Sequence, residues 1–218
     1  MNELISEAKR FLQNMQVDYA FCGGYAIELF LNRELRTHGD IDVSVYWDER
    51  DFIIDYMKND GWKVYEMCGN GVAHQIIGTD NQLKLKRNIF CIRDSCTLVN
   101  IEPKSEKDMY IIDFDHSGQT RFDFIEFLFN SKTGADFCYA RDTEITRPLV
   151  IAKRFNNGIP YLAPEIVLLY KSTDIMREGY QLDFETAIDE MSKEQKSWLK
   201  NALIKTNPFG HPWVENCE

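Results

Sequence analysis

The sequence has no long hydrophobic run: none of its 218 residues lies in a stretch that approaches the roughly 20 apolar residues of a membrane span. Its first residues, Met1 to Glu7, include acids and no apolar run, so no secretory signal is predicted. The six cysteines are scattered and form no Cys-x-x-Cys pair, which argues against a zinc or redox motif. We therefore expect a cytoplasmic protein with reduced thiols and no membrane partner.

Several common enzyme motifs are also absent. The chain has no Walker A lysine motif, no nucleophile elbow and no Gly-x-Gly-x-x-Gly, which leaves P-loop kinases, elbow-type hydrolases and dinucleotide enzymes without support. Basic residues are outnumbered, since 25 Lys and Arg face 35 Asp and Glu, and the formal net charge is −10. A nucleic-acid partner normally needs a basic surface and is not expected. An acidic protein suits a cationic substrate.

A pair of glycines, Gly23 and Gly24, stands between two predicted elements. The apolar run Tyr19 to Cys22 predicts a short buried strand, and Tyr25 to Asn32 has the apolar spacing of a helix packed on a sheet. Glycine at a strand-to-helix turn permits positive φ and lets a ligand approach the backbone. The helix start beyond it offers free N–H groups, so the turn predicts a phosphate site.

Two aspartates follow this helix. Asp40 and Asp42 alternate with Ile41, Val43 and Val45 in a predicted strand, so both carboxylates point to the same face. Two close carboxylates repel each other, and they are tolerated when a hard dication such as Mg²⁺ lies between them. A phosphate-binding turn followed by a Mg²⁺ site indicates nucleotide chemistry.

These residues carry a family resemblance. The glycine pair, the helix and the Asp-hydrophobic-Asp string resemble the nucleotidyltransferase superfamily typified by DNA polymerase β. With Arg33, Arg36 and His38 included, the stretch is similar to the aminoglycoside and lincosamide nucleotidyltransferase branch. Further similar strings cover most of the second half: Arg141 to Leu149, Gly158 to Glu165, Leu168 to Lys171 and His211 to Trp213.

The resemblance implies Mg²⁺-dependent transfer of a nucleoside monophosphate, with AMP from ATP as the expected donor, to a hydroxyl of a small molecule. An aminoglycoside or a lincosamide is the expected acceptor. Two alternatives stay open at this point. One is a toxin-like transferase that modifies a protein or tRNA, and the other is a non-catalytic nucleotide-binding module.

A third carboxylate is expected from a neighbouring strand. Asp123 is the first candidate as metal ligand or proton acceptor, because it lies between two phenylalanines in a strong strand pattern. By strict alternation Glu126 faces the opposite side unless a bulge intervenes. Asp113 and Asp115 on the preceding predicted strand are rivals. Asp40, Asp42 and Asp123 are thus the predicted catalytic and metal-binding residues.

Basic residues are the candidates for the triphosphate. Lys171 ends an apolar helical run, and in relatives a lysine on the first helix of the second lobe reaches the triphosphate; a snorkelling surface lysine is the alternative. Arg33 and Arg36 lie between the glycine turn and the aspartates, and Arg36 is the predicted binder together with Gly23 and Gly24. His38 is expected to cap or orient the loop.

The order of elements predicts an α+β fold. We expect a mixed-sheet nucleotidyltransferase domain with flanking helices over residues 1–150 and a small helical lobe over residues 151–218. A composition shift near Asn156 to Pro160 marks the change, and the remaining residues are predicted to be helical. The sequence does not predict the oligomeric state.

Overall fold

The structure, a computed structural model, describes residues 3–78, 81–115, 118 and 121–217. Within these residues the chain forms seven α-helices and twelve β-strands, which is the predicted α+β class. Among the described segments, no helix combines the length and apolar character that crossing a bilayer requires.

The helices are spread along the whole chain. In order they are α1 (Glu3–Met15), α2 (Gly23–Leu31), α3 (Arg50–Asn59), α4 (Leu149–Ala152), α5 (Pro164–Lys171), α6 (Tyr180–Ile188) and α7 (Lys193–Thr206). The strands are concentrated in the middle. They are β1 (Ala20–Phe21), β2 (Asp42–Tyr46), β3 (Lys63–Gly69), β4 (Val72–Gln75), β5 (Ile89–Ile92), β6 (Val99–Pro103), β7 (Met109–Phe114), β8 (Phe124–Thr133), β9 (Asp136–Cys138), β10 (Thr146–Pro148), β11 (Lys153–Asn156) and β12 (Ile159–Leu162).

The chain folds into two compact units. The first contains Met1–Tyr19 and Thr37–Phe129, and the second contains Ala20–Arg36 and Asn130–Glu218. β1 and α2 belong to the second unit because Phe21 pairs in parallel with Tyr161 of β12. The predicted domains, residues 1–150 and 151–218, remain a prediction. The two compact units follow long-range strand pairing and each combines separate stretches of the sequence.

The first unit is built on a sheet with the strand order β2-β8-β5-β3-β4-β7-β6. Neighbouring strands from β8 to β6 are antiparallel. One face packs an aromatic and aliphatic core in which the ring of Tyr65 stacks on Phe90 at a centroid distance of 5.0 Å. The buried members of this core are Tyr65, Ala73, Phe90, Ile92, Ile112 and Phe124.

The second unit combines short strands with helices. The antiparallel hairpin of β11 and β12 continues into β1, and β9 pairs with β10 and with the end of β8. The sequence predicted helices alone beyond residue 156, and the β11–β12 hairpin is a correction. Its second strand, Ile159–Leu162, is buried at every position, so it lacks the alternation that marks a half-buried strand.

Local sequence features explain several element boundaries. Ser192 caps α7 in a capping box with Gln195, and Pro164 opens α5. The strand β6 ends at Pro103, and proline is tolerated there because β6 is an outer strand in the strand order.

Candidate active site

Three carboxylates meet on neighbouring strands of the first unit. Asp42 opens β2, Asp40 lies two residues before it, and Glu126 lies on the adjacent strand β8. Each offers an oxygen within 4.8 Å of the other two, and all three residues are half-buried. The backbone N–H of Glu126 donates to the carbonyl of Ile41 at 2.9 Å, which fixes β8 beside the aspartate strand. An arrangement of three carboxylates suits a hard divalent cation.

Asp123, the predicted third carboxylate, lies outside this cluster. It is buried just before β8, and its Oδ1 accepts the backbone N–H of Arg121 at 3.3 Å. Phe122 has φ +59°, so the chain leaves the extended conformation there and the predicted alternation across Asp123 does not hold. The rival Asp113 pairs with Asn100 on β6, away from β8 in the strand order.

Strict alternation from Asp123 placed Glu126 on the opposite face of the strand, although the sequence carried a signal for it. It is the acid inside the otherwise apolar run from Phe124 to Phe129. An acidic side chain in such a strand needs a hydrogen-bonding, ionic or metal partner, because burying a charge without one is costly. This sequence pattern marks Glu126 as unusual, but its proximity to Asp40 and Asp42 depends on the pairing of β8 beside β2.

The glycine turn has the predicted geometry. Gly23 has φ +62°, a left-handed conformation that favours glycine, and it begins α2 directly after β1. The residue before it, Cys22, is extended and contributes no side-chain hydrogen bond to the helix start. Backbone N–H groups of the first helical turn therefore lack a side-chain cap at that position. Binding of phosphate by Gly23 and Gly24 remains a prediction.

Arg36 and Lys171, predicted to bind the triphosphate, meet at one buried carboxylate of the second unit. Asp183 is fully buried, and its Oδ2 lies 2.9 Å from Lys171 Nζ and 3.2 Å from Arg36 Nη2. The Lys171 ammonium also lies 4.0 Å from the ring centroid of Tyr180. Two cations thus share one carboxylate, which holds both side chains in place.

Two further residues hold Arg36 in place. The carboxylate of Glu28, buried on the apolar helix α2, accepts the backbone N–H groups of Leu35 at 2.8 Å and of Arg36 at 3.2 Å. Gly179 has φ +81°, and a Cβ at that residue would lie 2.6 Å from Arg36 Nε. A side chain there would therefore displace the guanidinium. The sequence predicted neither contact. Glu28 lies on a helix and its partners lie in the loop that follows it, whereas Gly179 is far from Arg36 along the chain.

The residue before Lys171 also has a constrained environment. Tyr170 accepts the backbone N–H of Ala140 at 3.0 Å, and the guanidinium of Arg141 lies 5.3 Å from its ring centroid. Burial raises the pKa of the Tyr170 hydroxyl, which keeps this side chain neutral.

The remaining candidates from the sequence lie close to Arg36 along the chain. His38 is buried, and Arg33 is exposed.

Comparisons with known proteins agree with this geometry. A family model described as aminoglycoside-2''-adenylyltransferase matches residues 4–83, which include the glycine turn, Asp40 and Asp42. A comparison with curated protein sequences finds no match.

Solved structures are also similar to the chain, and they include one of LnuA and two of ANT(2'')-Ia. The lincosamide antibiotic adenylyltransferase LnuA with lincomycin bound has a TM-score of 0.51 at 11% identity, covering 86% of this chain and 96% of its own. The solution structure of the antibiotic-resistance factor ANT(2'')-Ia has a TM-score of 0.52 at 12% identity, and the match covers 94% of this chain and 92% of that one. The crystal structure of ANT(2'')-Ia with adenylyl-2''-tobramycin has a TM-score of 0.53 at 9% identity, and the match covers 94% of this chain and 99% of that one. These structures confirm the predicted fold, and the family model confirms the resemblance to the aminoglycoside nucleotidyltransferase branch over residues 4–83.

Proposed function

We propose that this chain is a Mg²⁺-dependent adenylyltransferase that moves AMP from ATP to a hydroxyl group of a small, antibiotic-like molecule. The observation that carries the proposal is the meeting of Asp40, Asp42 and Glu126 within 4.8 Å. The two aspartates lie in the segment that matches the aminoglycoside-2''-adenylyltransferase model. The likeness to antibiotic adenylyltransferases over most of the chain supports the same reaction.

The carboxylates of the first unit fit a divalent metal. Asp40, Asp42 and Glu126 provide hard oxygen ligands on two adjacent strands, the donor type that Mg²⁺ prefers. When bound, the ion neutralises charge on the reacting phosphate. The strands position the three side chains before any ligand arrives, which lowers the cost of ordering them. We assign the third position to Glu126, and Asp123 remains the residue that sequence alone proposed.

The second unit fits the phosphates of the donor. The turn at Gly23 and Gly24 presents backbone N–H groups at the start of α2. Arg36 and Lys171 provide two cations that Asp183 holds in fixed positions. Arginine and lysine are side chains that bind phosphate groups by charge-assisted hydrogen bonds. We propose that these residues bind the triphosphate.

The acceptor is proposed from the neighbours and from charge. LnuA was solved with lincomycin and ANT(2'')-Ia with adenylyl-2''-tobramycin. The net charge of −10 attracts a polycation at low salt, so we place aminoglycosides ahead of lincosamides.

The decisive experiment is transfer of labelled AMP from ATP to tobramycin or lincomycin by the purified protein, with Asp42→Asn as the test variant. We expect a rate loss of about a thousandfold, because a bound dication contributes several kcal/mol to the transition state. Asp55→Asn is the matched control, since Asp55 is an exposed acid on α3 outside the cluster. Undiminished transfer by Asp42→Asn would contradict the metal assignment. Failure of the wild-type protein to label either drug class would contradict the antibiotic acceptor.

The same assay tests the third carboxylate. Glu126→Gln should impair transfer strongly, because it removes one charge from the cluster. Asp123→Asn should have a smaller effect on rate, because that carboxylate accepts the Arg121 N–H outside the cluster. The reverse ranking would restore Asp123 as the third carboxylate.

A further inference from the structure

A neutral amide contacts the carboxylate cluster. The side-chain Nδ2 of Asn88 donates to Glu126 Oε1 at 3.0 Å. Phe90 lies directly opposite Glu126 in the β5–β8 pair, and Asn88 is two residues before Phe90. Asn88 is therefore a diagonal cross-strand neighbour of Glu126, at a distance that a short polar side chain can span.

The backbone of Asn88 is fixed by the strands on both sides. Its carbonyl accepts the N–H of Met67 at 3.2 Å. The next residue, Ile89, is in register with Glu66 on β3 and with Phe127 on β8. The amide is thus presented from the sheet itself and not from a free loop.

The segment that leads to Asn88 is anchored as well. The buried carboxylate of Glu66 accepts the backbone N–H groups of Leu83 at 2.7 Å and of Lys84 at 2.9 Å. Arg50, also buried, forms an ion pair with the same carboxylate. The segment before Asn88 is therefore anchored at Leu83 and Lys84, and the Asn88 backbone itself is held by Met67.

The chemical type of this contact matters. A lysine or arginine beside Glu126 would orient the carboxylate and also neutralise it, which would weaken its attraction for a cation. An amide orients the carboxylate and leaves its negative charge in place. Outer-shell hydrogen bonds of this kind tune metal affinity in metal sites.

We propose that Asn88 is a positioning residue that sets the direction of the Glu126 carboxylate toward Asp40 and Asp42 and thereby strengthens divalent-metal binding. The proposal rests on the metal site of the proposed function. Asn88 acts through Glu126, so its effect exists only while Glu126 carries its carboxylate.

The first experiment measures Mn²⁺ binding by electron paramagnetic resonance, without nucleotide or acceptor. Asn88→Leu keeps the approximate size and removes the donor, and we expect a Kd about 10- to 100-fold higher than that of the wild type. Asn81→Ala is the matched control. Asn81 is an amide of the same inter-strand segment that accepts the N–H groups of Ile77 and Gly78, so its loss should leave the Mn²⁺ Kd unchanged.

The second experiment separates positioning from a merely structural role. In the Glu126→Gln background, Asn88→Leu should cause no further change in Kd, because the two residues act as one unit. Additive effects in this double-mutant cycle, or an unchanged Kd in Asn88→Leu, would overturn the proposal. If Asn88→Leu does not fold, as judged by its thermal transition, Asn88→Ala takes its place under the same criterion. A wild-type protein that binds no Mn²⁺ would instead overturn the metal site of the proposed function, and this inference with it.

Discussion

Carboxylates enter the interior of this protein in two different ways. In the second unit, Glu165 is fully buried and accepts two hydrogen bonds from Arg147, from Nε at 3.1 Å and from Nη2 at 2.9 Å. In the first unit, Asp40, Asp42 and Glu126 are half-buried and gathered against one another. Removing the partner of a buried, ion-paired acid destabilises the fold, whereas carboxylates gathered against one another are candidates for a functional site.

The Glu165 cluster shows what compensation involves. The second carboxylate oxygen of Glu165 accepts a hydrogen bond from Nε2 of Gln195 at 2.8 Å. Gln195 also completes the capping box of α7. Glu66 in the first unit follows the same rule, with Arg50 and two backbone N–H groups as partners. Each of these acids has a cation partner and accepts further hydrogen bonds. Removal of the cation should therefore lower the stability of the fold and leave catalysis unaffected.

Arg147→Ala tests the structural side of the comparison and should have the largest effect on stability. It leaves a fully buried carboxylate without its cation, so we expect the free energy of unfolding to fall by about 3–5 kcal/mol. Urea denaturation measures it. Lys205→Ala is the control, because Lys205 pairs with Glu144 on the exposed surface and its removal should leave the unfolding transition nearly unchanged. Equal transitions for Arg147→Ala and the wild type would break the distinction between the two kinds of acid.

The Asp183 cluster lies between these extremes. Its carboxylate is as buried as Glu165, yet it faces two cations, Arg36 and Lys171. One buried carboxylate therefore fixes the geometry of two cations at once.

Gly179→Ala sharpens this point with a smaller expected effect. Alanine at φ +81° is strained, and its Cβ would also meet Arg36 Nε at 2.6 Å. We expect a several-fold higher KM for ATP together with a modest loss of stability. Gly61→Ala is the matched control: Gly61 has φ +82° and nothing within 4 Å of an added Cβ. It should share the strain and leave KM unchanged. A KM that is equal in the two variants would show that the placement of Arg36 does not matter for the nucleotide.

The sequence predicted the local elements around this site well. The turn at Gly23 and the strand with Asp42 each depend on a few consecutive residues, and each is found in the structure. Local rules succeed here because glycine conformation and strand alternation act over a few residues of chain.

The non-local parts were not predictable in the same way. Glu126 joins the aspartates through the pairing of β8 with its neighbours, and Asp183 joins Arg36 across 147 residues of sequence. The hairpin that ends in Ile159–Leu162 was missed because every residue of that strand is buried. Pairing partners depend on the whole fold, which a single sequence pattern does not encode.

An acidic group can also be buried in its protonated, neutral form, and Tyr65 is an example. This side chain is buried in the core of the first unit, where it stacks on Phe90 and meets Tyr110 edge-on at 5.7 Å. Burial, with smaller contributions from the charges of Tyr110 and Asp94, raises the pKa of Tyr65 from 10.0 to about 12. The neutral phenol is therefore tolerated without a cation, unlike Glu165.

The consequence is a loss of stability at alkaline pH. Above pH 10 the unfolded chain releases the Tyr65 proton while the folded chain retains it, so unfolding becomes more favourable until the pH passes about 12. Urea denaturation from pH 8 to pH 11.5 should show a steeper decline for the wild type than for Tyr65→Phe, which cannot ionise. Tyr19, whose pKa burial also raises to about 12, offers an independent repeat with Tyr19→Phe. Parallel declines in all three proteins would mean that the folded state accepts the phenolate, and burial in the protonated form would be wrong for this core.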